Sequence, residues 1–199
     1  PLTLLSMPVD CDFLVVEMGA NHMGEIAELA NIAEPNFGII TNIGLAHLEG
    51  FGSAEGVKKG KKELFDYLRS TKNSDGSHKM SFVHGGHPVL LEVSVGMERN
   101  IFGTDQEKPR VVFNGEGMKR QFMWDEDGYK SNPAPIQLEG DYNLDNIAAA
   151  IAVGRFFGVK RADVTASISN YVPTNNRSQT IKTEFNEILL DAYNANPSS

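Results

Sequence analysis

One lysine in this chain faces the wrong way, and it is the first residue with chemistry in prospect. Lys61 lies in a basic run, Lys58-Lys59-Gly60-Lys61-Lys62. Positions 57, 61, 64, 65 and 68 nevertheless follow the spacing of a single helix face, which groups Lys61 with Val57, Leu64, Phe65 and Leu68. Desolvation favours the neutral amine, so a lysine on that side is a candidate for reaction as well as for a buried ion pair. The ordinary alternative is a long stem that snorkels past its apolar neighbours to water. Two upstream residues belong with it: Glu17, which ends the β-rich run Phe13-Leu14-Val15-Val16, and His47, in the loop after the apolar run Phe37 to Ile43. Singly, Glu17 reads as a strand-end carboxylate bonded to the next loop, and His47 as a ring packed in a turn. Together, a carboxylate, an imidazole and an inward lysine suggest a metal or phosphate site. The lysine is the odd member, because an ammonium repels a cation. Carbon dioxide resolves the conflict: it converts the neutral amine into an anionic carbamate whose oxygens suit Mg²⁺.

The elements that must position these residues read as strand, loop, helix, strand, loop, helix. After the first run, a helix from about Glu25 carries Ile26, Leu29, Ala30 and Ala33 on one stripe and is ended by Pro35. The second buried run follows, then the loop from Gly44 to Ser53 and the Lys61 helix. This order predicts an α/β fold with a mostly parallel sheet, helices on both faces, and ligands at the carboxyl ends of the strands. From about residue 98 to 140 the texture changes. Pro109 to Phe113 and Gln121 to Trp124, with Asn114-Gly115 and Asp127-Gly128 as turns, predict a small antiparallel β subdomain. Helix resumes at Asn143 as N-cap, with Leu144, Ile147, Ala148 and Ile151 on one side. Pro173 to Asn176 reads as a linker and Glu187 to Asp191 as a new strand.

Composition narrows the function classes. The chain has 199 residues, 41% of them hydrophobic, enough for a real core. Its net charge of −8, from 26 acidic and 18 basic residues, argues against a nucleic-acid surface and leaves phosphate ligands bound through metal open. Cys11 is the single cysteine, so neither an internal disulfide nor a cysteine zinc cluster can form. No apolar run reaches membrane-spanning length, and the start, Pro1 to Met7, lacks the basic region of a secretion signal. The expectation is a cytoplasmic protein without membrane insertion, and a chain excised from a longer one.

Four segments carry a resemblance: Glu17-Met-Gly-Ala-Asn21, Thr41-Asn-Ile-Gly-Leu-Ala-His47-Leu-Glu-Gly-Phe-Gly-Ser53, Gly140-Asp-Tyr-Asn-Leu-Asp-Asn146 and Asp191-Ala-Tyr-Asn-Ala-Asn-Pro197. Spread over nearly the whole chain, they resemble the Mur ligases, and within them the members that add D-alanyl-D-alanine to UDP-N-acetylmuramoyl-tripeptide. The resemblance implies residues 1–174 as most of a central ATP-binding domain, and 175–199 as a linker and the start of a C-terminal Rossmann-like domain. It implies ATP and Mg²⁺ as cofactors, the nucleotide-sugar tripeptide and D-alanyl-D-alanine as substrates, and an acyl phosphate between them. Carried over residue by residue, Glu17 binds one Mg²⁺, while His47 and carbamylated Lys61 serve the second. Asn146 contacts adenine, and Arg177 and Asp191 reach the nucleotide from the interdomain side. Tyr193 and Asn196 belong to the C-terminal face of the cleft, and Asn21 helps position substrate or phosphate. The ordinary readings are Asn146 as a helix-start side chain, Arg177 as a solvated linker charge and Asp191 as a strand-end cap.

The chain departs from the family in lacking G-x-x-x-x-G-K-[ST], the loop whose backbone amides and lysine hold ATP phosphates. Gly56-Val-Lys-Lys-Gly60-Lys61-Lys62 has the wrong spacing and lies mid-helix. The expectation is a phosphate loop and an N-terminal domain upstream of Pro1, with more of the C-terminal domain beyond Ser199. The 199-residue piece by itself is expected to be inactive, with an apolar sheet edge that weakens it or makes it self-associate. Lys62 stands where the family usually has a small residue, and either helps hold a carbamate or points to solvent. His84-Gly85-Gly86-His87 reads as a glycine-rich strand-end turn in preference to a metal pair, and Asp125-Glu126-Asp127-Gly128 as a hairpin turn. Two rivals remain: another Mur or folylpolyglutamate-type ligase, and a non-catalytic nucleotide-binding module.

Overall fold

In the computed structural model, residues 2–44, 48–115, 119–138, 140–173 and 179–190 are described. They form two compact units, the first from residues 1–83 and 89–100, the second mainly from 84–88 and 101–197.

In the first unit a short helix, α1 (Leu2–Leu5), precedes an irregular stretch, followed by α2 (Glu25–Ala33), β1 (Phe37–Ile39), α3 (Leu48–Phe51) and α4 (Ala54–Ser70). Then come β2 (Met80–His84), α5 (Pro88–Val93) and β3 (Glu98–Phe102). The strands lie in the order β1-β2-β3, with β1 parallel to β2 and Phe37 opposite Met80. Parallel neighbours need a crossover, and α4 supplies it. Ser81, Phe82 and Val83 of β2 are all buried, the continuous pattern of a strand covered on both faces. The core joins Ile40, Phe65, Leu68, Val83, Leu90 and Val93. The N-terminus of α4 is fixed by Ser53, whose Oγ accepts from the Gly56 N–H at 3.0 Å.

The helix expected from Glu25 starts there, and its first turn is capped from a distance. Glu63 of α4 accepts from the N–H groups of Gly24 at 2.7 Å and Ala27 at 3.0 Å. A carboxylate there satisfies orphan donors and complements the helix dipole. Glu63→Ala is therefore expected to lower stability by about 1–2 kcal/mol, read as a shift in urea midpoint. The run from Phe13 to Val16 is a correction: it is irregular and not a strand, and the Val15 side chain is 91% exposed. Strand propensity expresses packing on a sheet face, and these side chains have little of it.

The second unit holds β4 (Arg110–Asn114), β5 (Gln121–Glu126), β6 (Tyr129–Lys130), β7 (Ala134–Pro135), α6 (Asn143–Phe156), α7 (Arg161–Ser169) and the hairpin of β8 (Gln179–Lys182) and β9 (Glu187–Leu190). Arg110 of β4 faces Asp125 of antiparallel β5. Asp127 and Gly128, at φ 46° and 78°, make the two-residue turn into β6 that the sequence predicts. Phe122 and Trp124 alternate into the core, where Ile147, Ala148 and Ile151 of α6 are also buried. The indole N–H of Trp124 donates to Thr165 Oγ1 at 2.9 Å. Asn143 corrects the capping expectation: it is the first helical residue, buried, and Tyr142 occupies the cap. Among the described residues no helix is long and apolar enough to cross a membrane.

Candidate active site

The inward face of α4 is built as its spacing predicts. Val57, Phe65 and Leu68 are buried, and Lys61 lies among them, half-buried. Its Nζ donates to the Asn42 backbone carbonyl at 2.8 Å and approaches Asn42 Oδ1 at 3.3 Å, just past the carboxyl end of β1. Burial holds its pKa below the ordinary lysine value, because removing water penalises the ammonium. The neighbouring cations differ. Lys58 pairs with Glu92 at 2.8 Å, and Lys62 pairs with Asp66 along the helix. Lys62 is therefore committed to its own helix surface, leaving Lys61 as the member of the run aimed at the end of β1.

The other expected residues of this unit are less constrained. Glu17 is exposed in the irregular stretch before α2. Asn21 sits where that stretch meets the helix, its backbone N–H donating to Glu25 Oε2 at 2.7 Å. That bond, with those from His22, holds the Glu25 carboxyl below the usual range. The structure brings Asn21 against α3: a Cβ at Gly50 would fall 2.0 Å from the Asn21 carbonyl oxygen, so only glycine fits that approach. His47 lies outside the described residues, as do Arg177, Asp191, Tyr193 and Asn196.

In the second unit Asn146 lies in the first turn of α6, exposed, with its Nδ2 donating to Asn143 Oδ1 at 3.1 Å. Beside it is a cluster of which the sequence indicates only one part, the turn from His84 to His87. His84-Gly85-Gly86-His87 does form a turn at the end of β2, but both rings converge on Asp145 of α6. His84 Nε2 is 3.3 Å from Oδ1, and His87 Nε2 is 2.8 Å from Oδ2. The ring centroids are 4.7 Å apart. The available signal was the i, i+3 spacing of the histidines; nothing local indicates that Asp145 meets them. Burial lowers the pKa of His84, Asp145 opposes that shift, and His87 adds to it. The unfolded chain therefore binds a proton at His84 more readily than the folded chain, and stability falls as pH drops below about 6.5, the ordinary histidine value. Thermal unfolding between pH 7.5 and 5.5 is expected to show this, with a smaller slope for His84→Gln.

Residues 1–154 match the Mur ligase middle domain. The chain is similar along its full length to the UDP-N-acetylmuramoyl-tripeptide--D-alanyl-D-alanine ligase of Bacillus subtilis (strain 168), 33% identical over 211 residues and covering 42% of that protein. The enzyme of that name from Escherichia coli (strain K12) is 30% identical over 206 residues, with 44% of its length covered. The chain thus spans less than half the length of these curated relatives. Among solved structures, MurF from Acinetobacter baumannii aligns with a TM-score of 0.82 at 24% identity, over 98% of this chain and 42% of that one. MurF ligase from Thermotoga maritima, in complex with ADP, aligns with a TM-score of 0.76 at 21% identity, over 91% and 41%. These two share the fold.

Proposed function

The chain belongs to the Mur ligase family, and from that premise we propose that the full-length protein is the cytoplasmic ATP-dependent ligase that joins D-alanyl-D-alanine to UDP-N-acetylmuramoyl-tripeptide. The observation that carries this reading is similarity along the whole of this chain to relatives named for that activity, at 33% and 30% identity. In the proposed reaction an oxygen of the tripeptide's terminal carboxylate takes the γ-phosphoryl group of ATP, and ADP leaves. The amine of D-alanyl-D-alanine then attacks the acyl carbon and gives up a proton, and inorganic phosphate leaves as the amide forms. Activation is needed because a carboxylate oxygen is a poor leaving group and phosphate a good one.

Lys61 is the centre of the proposed site. Its half-buried amine, bonded to a carbonyl and an amide oxygen, has a depressed pKa that favours the form that adds to carbon dioxide. The amine nitrogen bonds to the carbon, a proton is released, and the product is an anionic carbamate. Carbamate and the Glu17 carboxylate are hard oxygen donors that fit Mg²⁺, with His47 as a third candidate; an unmodified ammonium would not fit. Bound there, Mg²⁺ would offset the charge that moves between ATP and the acyl phosphate. Asn146 is proposed to contact adenine, Arg177 and Asp191 the nucleotide, and Asn21 the substrate or its phosphate. Tyr193 and Asn196 are proposed on the C-terminal face, with residues 1–174 as central domain and 175–199 as linker and start of the next domain.

The test is phosphate release by the full-length protein with Mg-ATP and UDP-N-acetylmuramoyl-tripeptide. Release that requires D-alanyl-D-alanine supports the reading. Release with another amine and indifferent to the dipeptide would reassign the acceptor, and none at all would leave a non-catalytic nucleotide-binding module.

A further inference from the structure

Three side chains outside the proposed reaction centre form a contact cluster whose role the ligase reading leaves open: His84, His87 and Asp145. Their hydrogen-bond directions can be worked out. The Gly86 N–H donates to His84 Nδ1 at 3.0 Å, so in the neutral ring the proton sits on Nε2, which faces Asp145 Oδ1. His87 Nε2 faces Oδ2 of the same carboxylate. The one carboxylate thus accepts a hydrogen bond from His87 on Oδ2, while the His84 ring nitrogen lies within ion-pair distance of Oδ1. The His84 ring is held on its other sides as well: Phe102 stacks edge-on at 5.2 Å, and a Cβ at Gly103 would fall 2.2 Å from Nε2. Gly103 lies at φ 88°, a backbone position that itself favours glycine. The His84 side chain is only 11% exposed.

The trio also has the composition of a transition-metal site, its ligand atoms lying within 4.8 Å of one another. The tautomer argues against that use. A ring that binds metal through Nε2 carries its proton on Nδ1 and donates it to an acceptor, whereas here a backbone N–H already points at Nδ1.

Asp145 immediately precedes Asn146, and both lie in the first turn of α6. We propose that His84 and His87 are positioning residues that brace this turn through Asp145, and so set the affinity of the protein for the adenine nucleotide that Asn146 meets. This rests on the ligase reading, which supplies the nucleotide. The brace has a built-in dependence on protons. Below the His84 pKa a second proton enters at Nδ1, two N–H groups then face each other across the Gly86 contact, and the turn must open. Among the described residues, the charged groups facing the ring are Asp145 from α6 and His87 from its own turn.

The experiment is ADP binding to the full-length protein by calorimetry at pH 8.0 and 5.8, for the unsubstituted protein, His87→Ala, His87→Gln and Asp145→Asn, with thermal unfolding alongside. Loss of a hydrogen bond to a charged group corresponds to roughly tenfold or more. His87→Ala and Asp145→Asn are expected to bind ADP about tenfold more weakly at pH 8.0. His87→Gln, which keeps an N–H donor at similar reach, is expected to stay within about threefold. The unsubstituted protein is expected to weaken as the pH is lowered into the range, below the ordinary histidine value, in which His84 takes up its second proton. Equal affinity for all four proteins at both pH values would overturn the brace and leave the ligase reading intact. Failure of the unsubstituted protein to bind ADP at either pH would overturn both. A stoichiometric Zn²⁺ complex lost in His87→Ala would overturn the brace in favour of a metal site.

Discussion

Lys61→Ala in the full-length protein is expected to lower kcat for phosphate release by about a hundredfold or more, while ADP affinity changes by less than about threefold. The amine is half-buried at the end of β1, and its bonds go to Asn42. A side chain whose role is to become an anion near developing charge contributes to the transition state far more than to nucleotide binding. Lys61→Arg separates this from a simple need for positive charge. A guanidinium stays protonated and forms no carbamate, so the arginine variant is expected to fall as far as the alanine one. Removing carbon dioxide from the buffer is expected to lower the activity of the unsubstituted protein, and bicarbonate to restore it. An arginine variant with near-normal kcat would show that Lys61 works as a cation. An alanine variant with near-normal kcat would remove it from the chemistry altogether.

Phe65→Ala is expected to carry the largest stability cost of any single truncation on α4. The ring is fully buried and packs with Ile40, Leu68, Val83, Leu90 and Val93. Truncating such a residue removes the transfer energy of the ring and leaves a cavity, together about 3–5 kcal/mol. Domain stabilities are typically about 5–15 kcal/mol, so this one change takes a large part of the total. Phe65 also shares a helix face with Lys61, and the packing that anchors α4 is what holds the lysine against Asn42. The expected results are a urea midpoint far below that of the unsubstituted protein and reduced activity even where the variant remains folded. Lys59→Ala, an exposed site on the same helix, is expected to stay within about 0.5 kcal/mol. A Phe65 variant as stable as the Lys59 variant would contradict the proposed core.

Much of what positions Lys61 was readable because it is periodic. The 57, 61, 64, 65, 68 pattern names the buried face of α4, and it separates Lys61 from its basic neighbours. Asp127-Gly128 names its own turn, because two consecutive positive φ angles restrict the choice of residues. A parallel sheet was legible in outline, but with Phe13 to Val16 as the strand before β1; the observed parallel partner of β1 is β2, a run the sequence reading did not name. What was not readable depends on groups far apart in the chain. Glu63 caps a helix that begins 38 residues before it, and His84 and His87 meet an aspartate more than fifty residues on. Neither contact leaves a local pattern, since a capping carboxylate or a buried histidine looks in sequence like any surface charge or turn residue. Phe13 to Val16 failed for the converse reason. Its residue types favour a strand, but strand formation depends on a partner and a face to cover.

The most direct test is the mass of the nucleotide product after the full-length protein is incubated with Mg-ATP, UDP-N-acetylmuramoyl-tripeptide and D-alanyl-D-alanine. The expected result is one new species, heavier than the tripeptide nucleotide by the dipeptide less one water, formed in step with one ADP and one phosphate. An unchanged tripeptide nucleotide, with ATP intact or with phosphate released and no amide formed, would contradict the assignment.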